Sequence, residues 1–323
     1  MADEVRMGFE GKFGVALSNP GSPPTDPTEV LEILGDDIQD VQIREDVSGI
    51  TGIRSSPADR MLEMARSVAG PFTFEPTPVS ALAWLPRIFG AAAGSPTGGV
   101  TPFTLGNTLP DLDIFSLRKS GNAGLHVFRQ CKVASATFMG EEGGRLRCVV
   151  NILGRDRDPD ITTNYTWPAG LLYDRQVPWR LSDCTLTVAG TPYKFYRFAL
   201  TVDNLLGTRM MSGSLTPVDF PTSGRRVMLG LSFPWGNGLP LHSTLRTSQL
   251  STGVVKFGYG TGADERYIQF NLPNLIPPLN RSPVLPGRAE IRYDVELMAC
   301  ATTNAGAVVD HSELTASVKA AGS

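Results

Sequence analysis

The sequence holds 323 residues, enough for one large all-β domain or two smaller ones. With 41 % apolar and 19 % charged residues it can bury a core, which excludes a disordered tail. Lys and Arg number 29 against 32 Asp and Glu, a formal charge of −3, so the basic footprint of a nucleic-acid binder is missing. The 34 glycines and 25 prolines follow no collagen-like period and read as many turns and long connections.

The N-terminus lacks a basic start followed by an apolar run, so no secretory signal is expected. No stretch approaches the roughly 20 apolar residues of a membrane span. The product is expected in the cytoplasm of the cell that makes it, with no membrane partner. Residues 1–55 read as an extended arm with one short helix. Asp26-Pro27-Thr28-Glu29 supplies an N-cap, a proline at the first helical position and an acid three residues on, and Gly35 would close the helix. The spacing predicts a second helix over 57–69, capped by Ser56 and ended by Gly70, with Met61, Leu62, Ala65, Val68 and Ala69 on one face. A third runs from Pro78 to Phe89, where Pro86 should kink or shorten it. With a Gly/Pro/Thr-rich connector these last two make a helical segment over 56–112.

From there a period of two takes over, and residues 113–305 read as a β-sandwich domain. Phe128–Met139 and Arg145–Arg155 flank a Gly-rich turn at Gly140–Gly144 and form a hairpin, whose Glu141-Glu142 tip is a wet turn open to a partner. Residues 156–180 form a long polar loop, and such loops in compact domains usually serve a purpose. Cys184, Leu186 and Val188 alternate up to a turn at Ala189-Gly190, and Phe198, Leu200 and Val202 resume after a phase slip that suggests a β-bulge; the whole reads as a second hairpin. Arg225–Trp235 and Tyr267–Leu272 are strands, with Pro234 at the end of the first. A proline-rich loop then leads to Arg288–Cys300, the clearest strand of all. There Ala289, Ile291, Tyr293, Val295 and Leu297 alternate with Arg288, Glu290, Arg292, Asp294 and Glu296, one dry face against one charged face. The tail 306–323 is sparse, and its end is expected to fray.

Little of this points to chemistry. Cys131, Cys148, Cys184 and Cys300 are far apart in strand-like runs and read as reduced core thiols. The three histidines, His126, His242 and His311, have no G-x-S-x-G turn to serve and are expected on the surface or in loops. Asp156, Asp158 and Asp160 start like a calcium loop, but Ile161 and Trp167 stand where its glycine and bidentate glutamate belong. Gly258, Gly260 and Gly262 lack the setting of a dinucleotide site. No cofactor, metal or catalytic residue is expected. The alternating charges of Arg288 to Glu296 suit plain solvent, a repeated subunit contact or the wall of a water-filled channel.

The hairpin of 128–155, the run S-D-C-T-L-T-V-A-G-T-P-Y-K-F-Y-R-F-A-L-T-V-D-N, the run F-P-T-S-G-R-R-V-M-L-G-L-S-F at 220–233 and P-G-R-A-E-I-R-Y-D-V at 286–295 together resemble the tail tube proteins of long-tailed bacteriophages. The resemblance covers roughly residues 100–300. It implies a mainly β fold, a β-sandwich with flanking short helices, whose strands join those of neighbours into a continuous barrel. It implies a structural subunit, not an enzyme, that assembles into rings, usually hexameric, stacked on a tape measure protein, with tail terminator and distal tail or baseplate proteins at the ends and DNA in transit through the lumen. On that reading Arg288, Glu290, Arg292, Asp294 and Glu296 form a lumen or inter-subunit face. Asp156, Asp158, Asp160, Trp167 and Trp179 belong to an inter-ring loop, and the arm 1–55 bridges neighbours. A distal tail or baseplate ring is the nearest rival, and a carbohydrate-binding sandwich, which would need clustered exposed aromatics, a more distant one.

Overall fold

The computed structural model describes residues 11–19, 21–46, 60–118, 125–158, 165–167, 176–247, 252–278, 291–304 and 307–320. The chain enters through β1 (Lys12–Leu17), β2 (Glu29–Leu31), β3 (Gly35–Asp36), β4 (Gln39–Asp46) and β5 (Met61–Phe74), then helix α1 (Pro78–Phe89). Strands β6 (Val100–Thr104), β7 (Leu112–Leu117), β8 (Leu125–Glu141), β9 (Arg147–Gly154) and β10 (Asp156–Arg157) follow. Next come β11 (Cys184–Val188), β12 (Thr191–Tyr193), β13 (Arg197–Asp203), β14 (Arg226–Pro234) and helix α2 (Trp235–Thr247). The last strands are β15 (Gly253–Tyr259), β16 (Arg266–Leu272), β17 (Leu275–Ile276), β18 (Arg292–Ala299), β19 (Thr303–Asn304), β20 (Ala307–Val308) and β21 (Thr315–Lys319).

Two antiparallel sheets carry this mainly β fold. The larger runs β17-β18-β14-β13-β8-β7-β1-β2, with β9, β5 and β4 laid outward from the other edge of β8. The smaller runs β12-β11-β15-β16-β21-β6. Among the described residues neither closes into a barrel. Period-two alternation drives apolar side chains from both sheets into one core, where Phe138 meets Phe270 at 5.1 Å and Phe198 meets Phe257 at 5.2 Å between ring centroids. Strand β8 is the pivot. Its first part pairs with β7, its last part with β13, and β9 takes the opposite edge from Lys132 to Met139. Gln130 adopts φ 50, and the register shifts between Val133 and Ser135, so a single strand bends to serve two ladders.

Helix α1 covers the core with Trp84, Leu85, Ile88 and Phe89, all buried, and Trp84 packs 5.0 Å from Phe72. Thr77 and Ser80 form a reciprocal capping box, and Gly90 at φ 76 donates its N–H to Pro86 O at 2.9 Å. The helix runs through Pro86 to Phe89, so the proline does not shorten it.

The other two predicted helices are strands. In place of a helix over 26–35, β2 pairs with β1 through Phe13↔Leu31, and the Asp26 carboxylate accepts from Thr166 N at 2.9 Å instead of capping. In place of a helix over 57–69, β5 lies between β4 and β9, with Val68, Phe72 and Phe74 buried at even spacing; 57–59 lie outside the described residues. Long-range pairing overrides local propensity in both. The second hairpin also differs. Ala189 and Gly190, at φ 49 and 79, turn β11 back onto β12, but β13 belongs to the other sheet. The phase slip near Phe195 is therefore a crossing between sheets and not a bulge. The tail does not fray through Lys319: Leu314 and Val318 are fully buried, and β21 pairs with both β16 and β6.

One polar knot ties the helix, the sheet and the adjacent loops together. Asn204 is 1 % exposed, donates to Ile88 O at 3.1 Å and Val133 O at 3.0 Å, and accepts from Arg225 Nε at 3.1 Å. Arg225 also donates to Phe89 O and Gly106 O. Asn204→Ala would strand these partners, each unmet buried group costing about 1–3 kcal/mol. The expected loss is about 3 kcal/mol, read as a lower urea midpoint at unchanged slope.

Candidate assembly surface

Strands β18, β14, β13, β8 and β9 are buried on one face only. Residues opposite one another in the ladders set out the other face row by row. One row runs Asp294, Ser232, Arg197, Glu141 and the next Glu296, Gly230, Ala199, Met139, Arg147. A third runs Met298, Met228, Thr201, Thr137, Val149, and Thr137 and Thr201 share a hydroxyl contact at 3.0 Å. Small side chains at Ala199 and Gly230 leave a depression of about 690 Å³, rimmed by Arg197, Asp294 and Glu296. The centre of the face is uncharged, and charged side chains frame it at both ends, with Asp294, Arg197 and Glu141 at one and the opposed Asp203 and Arg226 at the other. Arg197 and Glu141 approach only to 3.7 Å, both well exposed, a pair of small energetic weight.

Arg292, Asp294 and Glu296 stand on this face, exposed as predicted, while Tyr293, Val295 and Leu297 point into the core. Arg292 stacks 4.8 Å above the Tyr196 ring. Arg288 and Glu290 lie outside the described residues. Beyond β18, β17 covers only Met298 and Ala299, so among the described residues the strand edge over Asp294–Leu297 has no strand partner. An open edge is a row of N–H and C=O groups ready to pair with another chain.

The predicted loop residues separate. Asp156 lies on β10, where burial raises its pKa and Arg157 N donates to it at 2.8 Å. Asp158 meets the Tyr165 hydroxyl at 3.3 Å, and Asp160 lies outside the described residues. Trp167 is half-buried with the Lys12 ammonium 5.7 Å from its ring. Trp179 is fully buried and donates to Arg266 O at 3.4 Å, so it shares no platform with Trp167. His242, expected on the surface, is instead buried on α2, 5.3 Å from Tyr293 between ring centroids. His126 is half-buried, and burial lowers its pKa. Cys131 and Cys148 are buried and all four cysteines are free.

Two features had no sequence-based expectation. The outer half of the β4–β5 ribbon exposes Val41, Ile43, Met61, Leu62 and Met64, each between 42 % and 53 % accessible, more apolar surface than a solvated ribbon needs. The second is a polar cavity beside Gln130, lined by Arg129, Arg155 and Arg157. Gln130 is held in its left-handed conformation by Asp113, whose Oδ1 accepts the Gln130 N–H at 3.0 Å.

A β-sandwich with one wet sheet face, a strand edge beside it that no strand covers among the described residues, and an exposed apolar ribbon has the surfaces of a structural subunit. A family model described as phage tail tube protein matches residues 5–319, and the chain belongs to that family. It is a structural tail tube subunit of a bacteriophage virion. No curated protein matches the chain. No helix among the described residues is long and apolar enough to cross a membrane.

Asp113 gives the region a pH signature. It is 2 % exposed, and burial raises its pKa against the opposing bond from Gln130. The folded state then holds the proton more tightly than the unfolded chain, so the cost of ionising it is complete above the folded-state pKa and vanishes below the unfolded one. Asp113→Asn keeps the acceptor. It is expected to be more stable than wild type at pH 7, the gain disappearing below about pH 4 in thermal melts.

Proposed function

We propose that copies of this chain close into a ring by pairing the free edge of β18 with a neighbouring copy, and that the rings stack into a hollow tube through which DNA leaves. What supports this reading is the Asp294–Leu297 edge, which no strand covers among the described residues, beside a wet, one-sided sheet. Closing a sheet across copies satisfies that edge, and a head-to-tail contact that closes by rotation gives a ring. The ring is hexameric by the family resemblance. The wet face then lines the lumen. Its uncharged centre would let DNA slide, because phosphate affinity comes from Lys and Arg. The chain acts without catalysis, assembles in the host cytoplasm around a tape measure protein, and meets a tail terminator and distal tail or baseplate proteins at the tube ends.

The apolar β4–β5 ribbon reaches onto an adjoining copy as the bridging part of residues 1–55, whose β1 and β2 stay in the sheet of their own copy, and the loops 156–180 and 273–286 make further contacts. Burying apolar side chains between copies contributes roughly 25 cal/mol per Å² removed from water. Ile43→Ser with Leu62→Ser should change monomer stability by less than about 0.5 kcal/mol, since both side chains are already exposed, yet shorten or abolish tubes.

Electron microscopy of the purified chain over a range of concentrations tests the proposal. Long hollow tubes of regular ring spacing are expected. Isolated rings at every concentration would point instead to a distal tail or baseplate component, and dispersed monomers would contradict the assembly.

A further inference from the structure

The arginine cavity beside Gln130 has a volume of about 600 Å³. Arg129 donates to Ser22 O, and Arg155 donates through Nε to Thr216 Oγ1 at 3.3 Å and through Nη1 to Gln130 Oε1 at 3.1 Å. These acceptors are neutral. The Arg157 side chain has no hydrogen-bond partner among the described residues, and none of the three is in ion-pair contact with a carboxylate there. Arg129 Nε is buried with no acceptor. A guanidinium offers five N–H donors in a fixed fork, so three of them around one cavity leave many directed donors for an anionic oxygen group. The cavity's own carboxylates do not fill that need. Asp156 accepts from the backbone of Arg157, and Asp158 meets Tyr165. Asp113 and Asp156 lie near enough to act on Arg129 and Arg155 through space, but three guanidiniums face them without an ion-pair contact, and a further carboxylate that accepts their N–H groups directly would be favoured.

The same strand offers such a carboxylate at its other end. The β8–β9 turn carries Glu141 and Glu142, both exposed. Glu142 has no partner among the described residues, and Glu141 has only the long contact to Arg197. Gly143 at φ 72 and Gly144, whose N–H meets Glu141 O at 2.8 Å, keep the tip narrow. Arg129 and Glu141 lie about 40 Å apart along β8 at roughly 3.3 Å per residue, so one copy cannot bring its own tip to its own cavity. Two copies placed end to end can.

We propose that the Glu141–Glu142 turn of one copy seats in the Arg129–Arg155–Arg157 cavity of the next, making a head-to-tail contact between stacked copies. The contact rests on the tube reading for its direction. Carboxylate meets guanidinium in a two-donor geometry, and the repeat of one heterologous contact propagates a stack without a second kind of interface. Salt should weaken it, since both partners are reached by solvent until they meet.

The test uses the full chain with Glu142→Arg, Arg157→Glu and the double variant, circular dichroism showing that each is folded. Each single variant is expected to raise the concentration needed for stacking at least about tenfold, and the double to return within about threefold of wild type. Singles that stack like wild type would overturn the contact, as would a folded double variant no better than the worse single. Duplex DNA binding that Arg157→Glu removes, with stacking unchanged, would assign the cavity to phosphate instead. A disulfide-closed peptide spanning residues 138–147 separates the contact from the tube. If wild type never stacks but binds this peptide and Arg157→Glu does not, the tube reading fails and the contact survives. No peptide binding under those conditions overturns the contact itself.

Discussion

Backbone N–H and C=O groups at a strand edge have to meet something, and that requirement organises this chain. Strand β8 meets it on both sides: β7 and then β13 on one edge, β9 and β10 on the other. Its bend at Gln130 lets the larger sheet curl over the smaller one, and the core of Phe138, Phe198, Phe257 and Phe270 fills the space between. Helix α1 roofs that core. At β18 no strand meets that requirement along Asp294–Leu297 among the described residues, and in the proposed assembly a second copy of the chain closes the edge.

The face next to that edge is shaped for a role that a monomer does not need. Ala199, Gly230, Thr201, Thr137 and Ser135 place small or hydroxyl side chains where a solvated sheet could carry lysines and glutamates. Charge is kept to the two ends, at Arg197, Glu141, Asp294 and Glu296 on one side and at Asp203 and Arg226 on the other. In a channel wall this arrangement avoids holding phosphate. At the two ends of β8 stand the arginine-lined cavity and the turn with its two exposed glutamates.

Much of this was legible in the residues. Period-two alternation marked β8, β9, β14, β16 and β18, and the burial of Tyr293, Val295 and Leu297 against exposed Arg292, Asp294 and Glu296 follows the pattern residue by residue. What was not legible depends on distant partners. Met61-Leu62-Glu63-Met64-Ala65 has good helix formers, yet β4 claims it as a strand, and no local signal announces that neighbour. Trp235–Thr247 contains two glycines and a proline and still forms α2, because Leu241 and Leu245 find a buried place beneath it. Val318 looked isolated in sequence because the residues opposite it, Thr101 and Ile268, lie about 200 and about 50 residues away along the chain. Of the site, the charged face of β18 was visible in advance. The arginine cavity was not, since a bent strand brings Arg129 to Arg155 and Arg157.

Amide hydrogen exchange along β18 tests the central claim most directly, comparing dispersed chains with the assembled protein. If copies join through this edge, the Asp294–Leu297 amides that point away from β14 slow by about a hundredfold or more on assembly, while those already paired with β14 change little. Assembled protein whose outward β18 amides exchange as fast as those of the dispersed chain would contradict the account.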